Sequence, residues 1–222
     1  MPIDTEGSFQ QVQQALIAQG ESNQPILIIA KPGDHGPMRA AKAWGGARSG
    51  AEIELMRQRL IELGYDATRL REQYGEGSSG LFAFRAPHFS INRAALVGRT
   101  VNSPDRVERL GEYQLAFSGV LFLDDVPEFS ETHIDVLAAR LHNQPLGVRV
   151  VGVVYTKDDR PIHSEDRGKD HVGTQSMAWY FADRLEPKVI DTTGYAWVPV
   201  VLKRWMKSDT PAPRKLLYLF DD

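Results

Sequence analysis

Short, continuous apolar runs alternate with amphipathic stretches along this chain. From the N-terminus, Val12, Ala15, Leu16 and Ala18 recur at helical spacing, which predicts an amphipathic helix over Phe9 to Gln19. Pro25-Ile26-Leu27-Ile28-Ile29-Ala30 is apolar throughout and is followed by Lys-Pro-Gly, the pattern of a buried strand. Lys31 to Gly50 is rich in Gly, Pro, Ala and Arg and reads as loop, with a short helix over Met38 to Trp44. Ile53, Met56, Leu60 and Leu63 share one face of a helix over Ala51 to Leu63, capped by Gly64. Tyr65 to Leu70 then reads as a strand and Tyr74 to Gly80 as a glycine-rich loop.

The second half repeats the alternation. Val120 to Leu123 is a buried strand. Glu131 to His142 is a helix, with Ser130 as its N-cap and Ile134, Leu137 and Leu141 turned inward. Val148 to Val154 is almost wholly apolar, as a central parallel strand is. Lys157 to Gly173 is dominated by charged and histidine residues and reads as an exposed segment. Met177 to Leu185 is helical in pattern, and Lys188-Val189-Ile190 opens another strand. This succession predicts an α/β fold, a three-layer sandwich with a mainly parallel central sheet. It divides into a polar segment over 1–24 with a short helix, a core over 25–200, and a tail over 201–222. The apolar run Leu216 to Phe220 predicts that the tail packs on the core or on a partner.

Composition narrows the function classes. With 222 residues, 42% hydrophobic and 25% charged, the chain has the balance of an ordinary globular protein. The net charge of −3 gives no electrostatic reason to expect nucleic acid. There are no cysteines, so disulfide frameworks and thiolate metal sites are excluded. The first residues lack the basic and apolar regions of a secretory signal, and no apolar run reaches the roughly 18 residues of a membrane span. The expectation is a cytoplasmic protein. His163 and His171 with Glu165, Asp166 and Asp170 hold metal-ligand residue types without tight ligand spacing, and Arg57, Arg59, Arg69 and Arg71 lie among carboxylates as a solvated face does.

The chemistry-bearing pattern is Leu121-Phe122-Leu123-Asp124-Asp125-Val126-Pro127-Glu128-Phe129, an apolar run that ends in two acids. Before it come Phe84-Arg85-Ala86-Pro87-His88-Phe89-Ser90 and Gly111-Glu112-Tyr113-Gln114-Leu115-Ala116. Together these resemble the magnesium-chelatase family of AAA+ ATPases, whose pattern runs F-R-A-P-H-H, then A-L-I-G-G, then G-E-I-S-L-A-H-N-G-V-L-F-L-D-E-L-P-E-F. The resemblance is close over about 81–135 and looser over 148–190. It implies a P-loop NTPase (AAA+)-like core. Asp124 would stand where the family holds Mg²⁺, and Asp125 where it keeps a catalytic Glu. Arg184, in Tyr180-Phe181-Ala182-Asp183-Arg184-Leu185-Glu186, would match an arginine that reaches a neighbouring subunit's nucleotide.

Three positions depart from that pattern. A P-loop needs G-x-x-x-x-G-K-[ST] between strand and helix. The segment in its place is Lys31-Pro32-Gly33-Asp34-His35-Gly36-Pro37-Met38-Arg39. Gly33, Gly36 and Arg39 are what remains of a phosphate loop, while Pro37 lacks an N–H and Met38 is no ligand for a hard cation. Asp125 is one methylene shorter than Glu, and Tyr155 stands where the family has a sensor Asn. The residues after about 190 show no full helical lid. The resulting expectation is a degenerate AAA+ domain without ATPase activity. It would need no cofactor and would act as a binding, scaffold or regulatory module beside a protein partner, either an active AAA+ subunit or a second copy. No nucleic-acid or membrane partner is expected. The alternative is an ATP-hydrolysing or ATP-sensing protein with an atypical phosphate loop, using Mg-ATP through Asp124, Asp125 and Arg39 or Lys42.

Overall fold

The computed structural model describes residues 5–18, 24–45, 50–62, 84–98, 110–117, 119–143, 147–155 and 180–193. In chain order the elements are α1 (Thr5–Ala18), β1 (Ile26–Ala30), α2 (Gly36–Gly45), α3 (Gly50–Glu62), β2 (Phe84–Arg85), α4 (Arg93–Val97), α5 (Glu112–Leu115), β3 (Val120–Leu123), a 3-10 turn (Val126–Glu128), α6 (Glu131–Asn143), β4 (Arg149–Tyr155) and β5 (Lys188–Asp191). Residues 180–185 are also helical. The strands form one sheet in the order β2-β3-β4-β1-β5. Every neighbouring pair is parallel. The predicted α/β sandwich is therefore the observed one.

The sheet is buried on both faces because its strands are apolar at consecutive positions, and alternation sorts them. Ile26, Ile28, Ala30, Val120, Phe122, Val151 and Val153 face α1 and α2. Leu27, Leu121, Leu123, Val150 and Val154 face the other way, toward α4, α5, α6 and residues 180–185. Gly152 lies on this second face, and the close approach there needs it. A Cβ would come within 2.6 Å of the Val126 side chain and 3.0 Å of the Phe181 ring.

Several expectations shift at their edges. The helix after β1 begins at Gly36, two residues before the predicted start at Met38, because Asp34 caps it. In α1, Val12 and Leu16 are fully buried, while Ala18 is exposed. The helix belongs to the core layer, beside α2. In α6, Ile134 and Leu137 are fully buried and Leu141 is half-buried. Ser130 is its N-cap: the Ser130 hydroxyl accepts from the His133 N–H at 3.4 Å, and His133 Nδ1 accepts from the Ser130 N–H at 3.3 Å. The histidine performs the return half of a capping box that Glu or Gln usually performs. The strand expected at Tyr65 to Leu70, Gly64, the charged segment over 157–173 with its metal-ligand candidates, Arg69, Arg71 and the C-terminal tail lie outside the described residues.

One large cation ties the first layer together. Arg149, at the start of β4, is only 1% exposed. Its guanidinium lies over the Trp44 ring at 4.0 Å and donates to the Leu16 carbonyl at 3.2 Å. A cation at the last turn of α1 meets the negative end of the helix dipole, and the indole face offers a second attraction. Burial lowers its pKa, yet a guanidinium starts so high that it stays charged. Among the described residues no helix is long and apolar enough to cross a membrane.

Candidate functional site

The carboxyl ends of β1, β3 and β4 bring the candidate residues together. In open parallel sheets ligands bind outside those ends. Parity explains who meets whom. Phe122 and Val153 point toward the α1/α2 layer, so Asp124 and Tyr155, two residues further along each strand, emerge on the same side. The Tyr155 hydroxyl donates to Asp124 Oδ1 at 2.7 Å. The tyrosine thus takes up an oxygen of the acid that the resemblance assigns to Mg²⁺. Burial, the hydrogen bond to Asp124 and the charges of Asp124, Asp125 and Asp34 all push the Tyr155 hydroxyl far above its ordinary pKa. The phenol remains a proton donor at every physiological pH.

Asp125 adopts a left-handed backbone, φ 57° and ψ 71°, at the entry to the 3-10 turn. That conformation costs a non-glycine residue about 1 kcal/mol or more, and Asp tolerates it better than most. It folds the chain sharply after β3, so that Val126 packs into the core.

The β1–α2 loop stands beside these acids. Gly33 has φ 81°. Asp34 is 3% exposed, and its Oδ1 accepts from the Gly36 N–H at 2.9 Å and from the Ser8 hydroxyl of α1 at 2.7 Å. Gly36 and Pro37 are buried in the first turn of α2, and Met38 packs against the α1/α2 core layer. Arg39 is exposed, pairs with Glu6 at 3.4 Å and lies over the Phe9 ring at 4.9 Å. So Gly33, Gly36, Asp124 and Asp125 sit at one end of the sheet, while the Arg39 guanidinium is turned to α1.

Arg184 is elsewhere. It lies beside Pro25 and Val148, which precede β1 and β4, at the opposite end of the sheet. Its Nε is 3.1 Å from Asp135 of α6, and Tyr180 donates to the same carboxylate at 2.8 Å. The geometry does not join Arg184 to Asp124 and Asp125 within one chain.

The motif residues ahead of β3 form a second constellation. Arg85 Nε and Nη2 grip the two Glu112 oxygens at 2.5 and 2.7 Å. Gln114 is fully buried: its Nε2 donates to the Val97 carbonyl at 2.8 Å, and its Oε1 accepts from the Gly111 N–H at 3.0 Å. Gly111 approaches the end of α4 so closely that a Cβ would stand 2.1 Å from the Gly98 nitrogen and 2.8 Å from the Leu96 carbonyl. Sequence reasoning did not single out Gln114, Ser8 or Arg149. For Ser8 no signal existed. Gln114 carried one, a polar residue amid apolar neighbours in a motif.

Comparisons with known proteins agree with the architecture. Residues 52–157 match the family described as magnesium chelatase, subunit ChlI. The chain is 31% identical over 129 residues to competence protein ComM of Haemophilus influenzae, which covers 58% of this chain and 23% of that protein. It is 31% identical over 113 residues to the YifB protein of Escherichia coli, covering 50% of this chain and 20% of the relative. It thus spans about a fifth of the length of these relatives. Among solved structures, a chain from the complex between subunits BchI and BchD of magnesium chelatase superposes with a TM-score of 0.51 at 12% identity, over 98% of this chain and 70% of that one. The motif segment lies inside the matched residues, so the chain is similar to magnesium-chelatase-like AAA+ proteins over about half of its length.

Proposed function

We propose that this chain is an AAA+ module that keeps the fold without hydrolysing ATP and acts as a binding or scaffold element toward a protein partner. The observation that carries the reading is the 2.7 Å hydrogen bond from Tyr155 to Asp124. An acid that supports Mg²⁺ must present its oxygens to the ion or its water shell. Here one oxygen receives a phenol proton that will not ionise near neutral pH.

The neighbouring residues do not fit Mg-ATP either. Pro37 brings no N–H to the first turn of α2, and Met38, packed in the core layer, offers neither an ammonium nor a hydroxyl to a phosphate–Mg²⁺ pair. Among the described residues no group of three or more His, Asp or Glu is arranged to hold a metal ion. The partner in this reading is an active AAA+ subunit or a second copy, in line with the two-subunit assembly from which the solved neighbour comes.

The test is a coupled ATPase assay with Mg²⁺ on the wild-type chain and on Asp124→Asn. The reading expects both to match the blank. Turnover by the wild type that Asp124→Asn abolishes would establish the alternative, an ATP-hydrolysing protein with an atypical phosphate loop.

A further inference from the structure

Two helices on the second face of the sheet run into their strands through left-handed turns. Gly147, between α6 and β4, has φ 66°, and Glu186, between the helix at 180–185 and β5, has φ 45°. The Glu186 N–H donates to the Ala182 carbonyl at 3.0 Å, and Gln24 donates to the Glu186 carbonyl at 3.1 Å, which fixes the second turn against the entry to β1. Between the two turns lies an open groove of about 350 Å³. Its floor is apolar: Pro25, Tyr113, Val148 and Leu185 are buried there, with Ala138 and Leu141 of α6 half-buried beside them. Its rim carries basic side chains, Arg184 and His142, and one acid, Glu186. Arg184 reaches Asp135 through Nε and Tyr180 through Nη2, so its Nη1 stays outside both contacts.

Such a groove fits an extended segment whose large apolar side chains are flanked by charges of both signs. The sequence holds one. Arg214-Lys215 leads into Leu216-Leu217-Tyr218-Leu219-Phe220, and Asp221-Asp222 follows. Left in water, five consecutive large apolar side chains would be an aggregation hazard. The connection is long enough to bring them there. The Lys188 N–H donates to the Pro25 carbonyl at 2.8 Å, so the groove lies beside the start of β5. That strand is about 13 Å long at 3.3 Å per residue. The stretch from Thr193 to Leu216 spans up to about 75 Å when extended.

We propose that residues 216–222 dock in this groove of their own chain. Leu216, Tyr218 and Phe220 share one side of an extended backbone and enter the apolar floor. Asp221 and Asp222 then meet the Arg184 side of the rim, and Arg214 and Lys215 the Glu186 side. The groove is at the opposite end of the sheet from Asp124, so the proposal holds whether or not the chain turns over ATP.

The natural chain has no cysteine, so a pair introduced into the full chain reacts without competitors. Ala138→Cys is combined with Tyr218→Cys or Phe220→Cys, and disulfide formation under a mild oxidant is followed on non-reducing gels. Docking predicts a monomeric cross-linked product that forms about tenfold or more faster than in a control pair, Glu54→Cys with Tyr218→Cys, because a held segment has a higher effective concentration than a free one. Glu54 is exposed on α3. Arg184→Glu should slow the reaction, and adding Asp221→Arg and Asp222→Arg should restore it, a rescue that loss of packing alone would not show. Should the Ala138→Cys pairs fail to fold by circular dichroism, Leu141→Cys takes the same place in the groove. Groove pairs that react no faster than the control would overturn the proposal. Cross-linked dimers in place of the monomeric product would overturn it too, since the groove would then take the segment of a second copy.

Discussion

The joint between α4 and α5 and the carboxyl end of the sheet both hold motif residues, and they satisfy them in different ways. At the joint, Arg85 and Glu112 form a bidentate ion pair, and Gly98 and Gly111 make a close backbone approach. At the carboxyl end, Asp34 and Asp124 are satisfied by Gly36, Ser8 and Tyr155. The difference teaches that the joint is held by close packing, whereas the carboxyl end is held by hydrogen bonds to its own acids. Packing constraints persist whether or not a ligand is bound.

The comparison breaks most visibly at Gly111. Gly111→Ala puts a Cβ against the backbone of Leu96 and Gly98, which no rotamer change relieves. A loss of about 3 kcal/mol or more in chemical denaturation is expected, at the upper end of overpacking. A variant as stable as wild type would show that the joint yields easily and that its motif is not held by packing.

Next in size is Gln114→Ala, which strips the Val97 carbonyl and the Gly111 N–H of a buried partner. Its expected cost is about 2–4 kcal/mol, from the 1–3 kcal/mol of each orphaned group. Breaking the Arg85–Glu112 pair with Glu112→Gln should cost less, about 1–2 kcal/mol, because both side chains keep about a fifth of their surface exposed.

The carboxyl end should respond more weakly near neutral pH. Tyr155→Phe is expected to change stability by about 1 kcal/mol at pH 7. Its signature lies in alkali. The folded hydroxyl has a pKa raised first by burial and then by Asp124, so the unfolded chain loses that proton before the folded one does. The contribution of this group is complete below the unfolded value near 10 and is lost as pH rises above it, by up to roughly 1.4 kcal/mol per unit. Wild type should therefore lose stability above pH 10 more steeply than Tyr155→Phe in parallel urea titrations. Equal slopes would mean that the phenol is not held as described. Smallest of all is Arg39→Ala, whose pairing with Glu6 is at the surface and should contribute within about 0.5 kcal/mol.

The sheet was legible because each strand is a short apolar run between breakers, and a strand apolar at every position belongs in the middle of a parallel sheet. The start of α2 was less so. Periodicity does not register Asp34 as a cap when Gly36 and Pro37 follow, since both read as helix breakers, although Pro is well suited to a first turn. The acid pair was found by its place at the end of an apolar run. Its hydrogen bond to Tyr155 required knowing that β3 and β4 are neighbours in register, with Leu123 opposite Gly152. Ser8 lies on a helix distant in sequence, and nothing local marks it as a partner of Asp34. Arg149 was hidden by the valines around it: a cation inside an apolar strand gains its meaning from Trp44 and the end of α1, which the strand pattern does not contain.

The central claim is that the carboxyl end of this sheet satisfies its own charged groups and does not receive a nucleotide. It is tested most directly by calorimetric titration of the full chain with ATP in the presence of Mg²⁺. The structure-based account predicts no saturable heat and the same result for Asp124→Ala. A micromolar dissociation constant for the wild type, abolished by Asp124→Ala in a protein that remains folded, would contradict it.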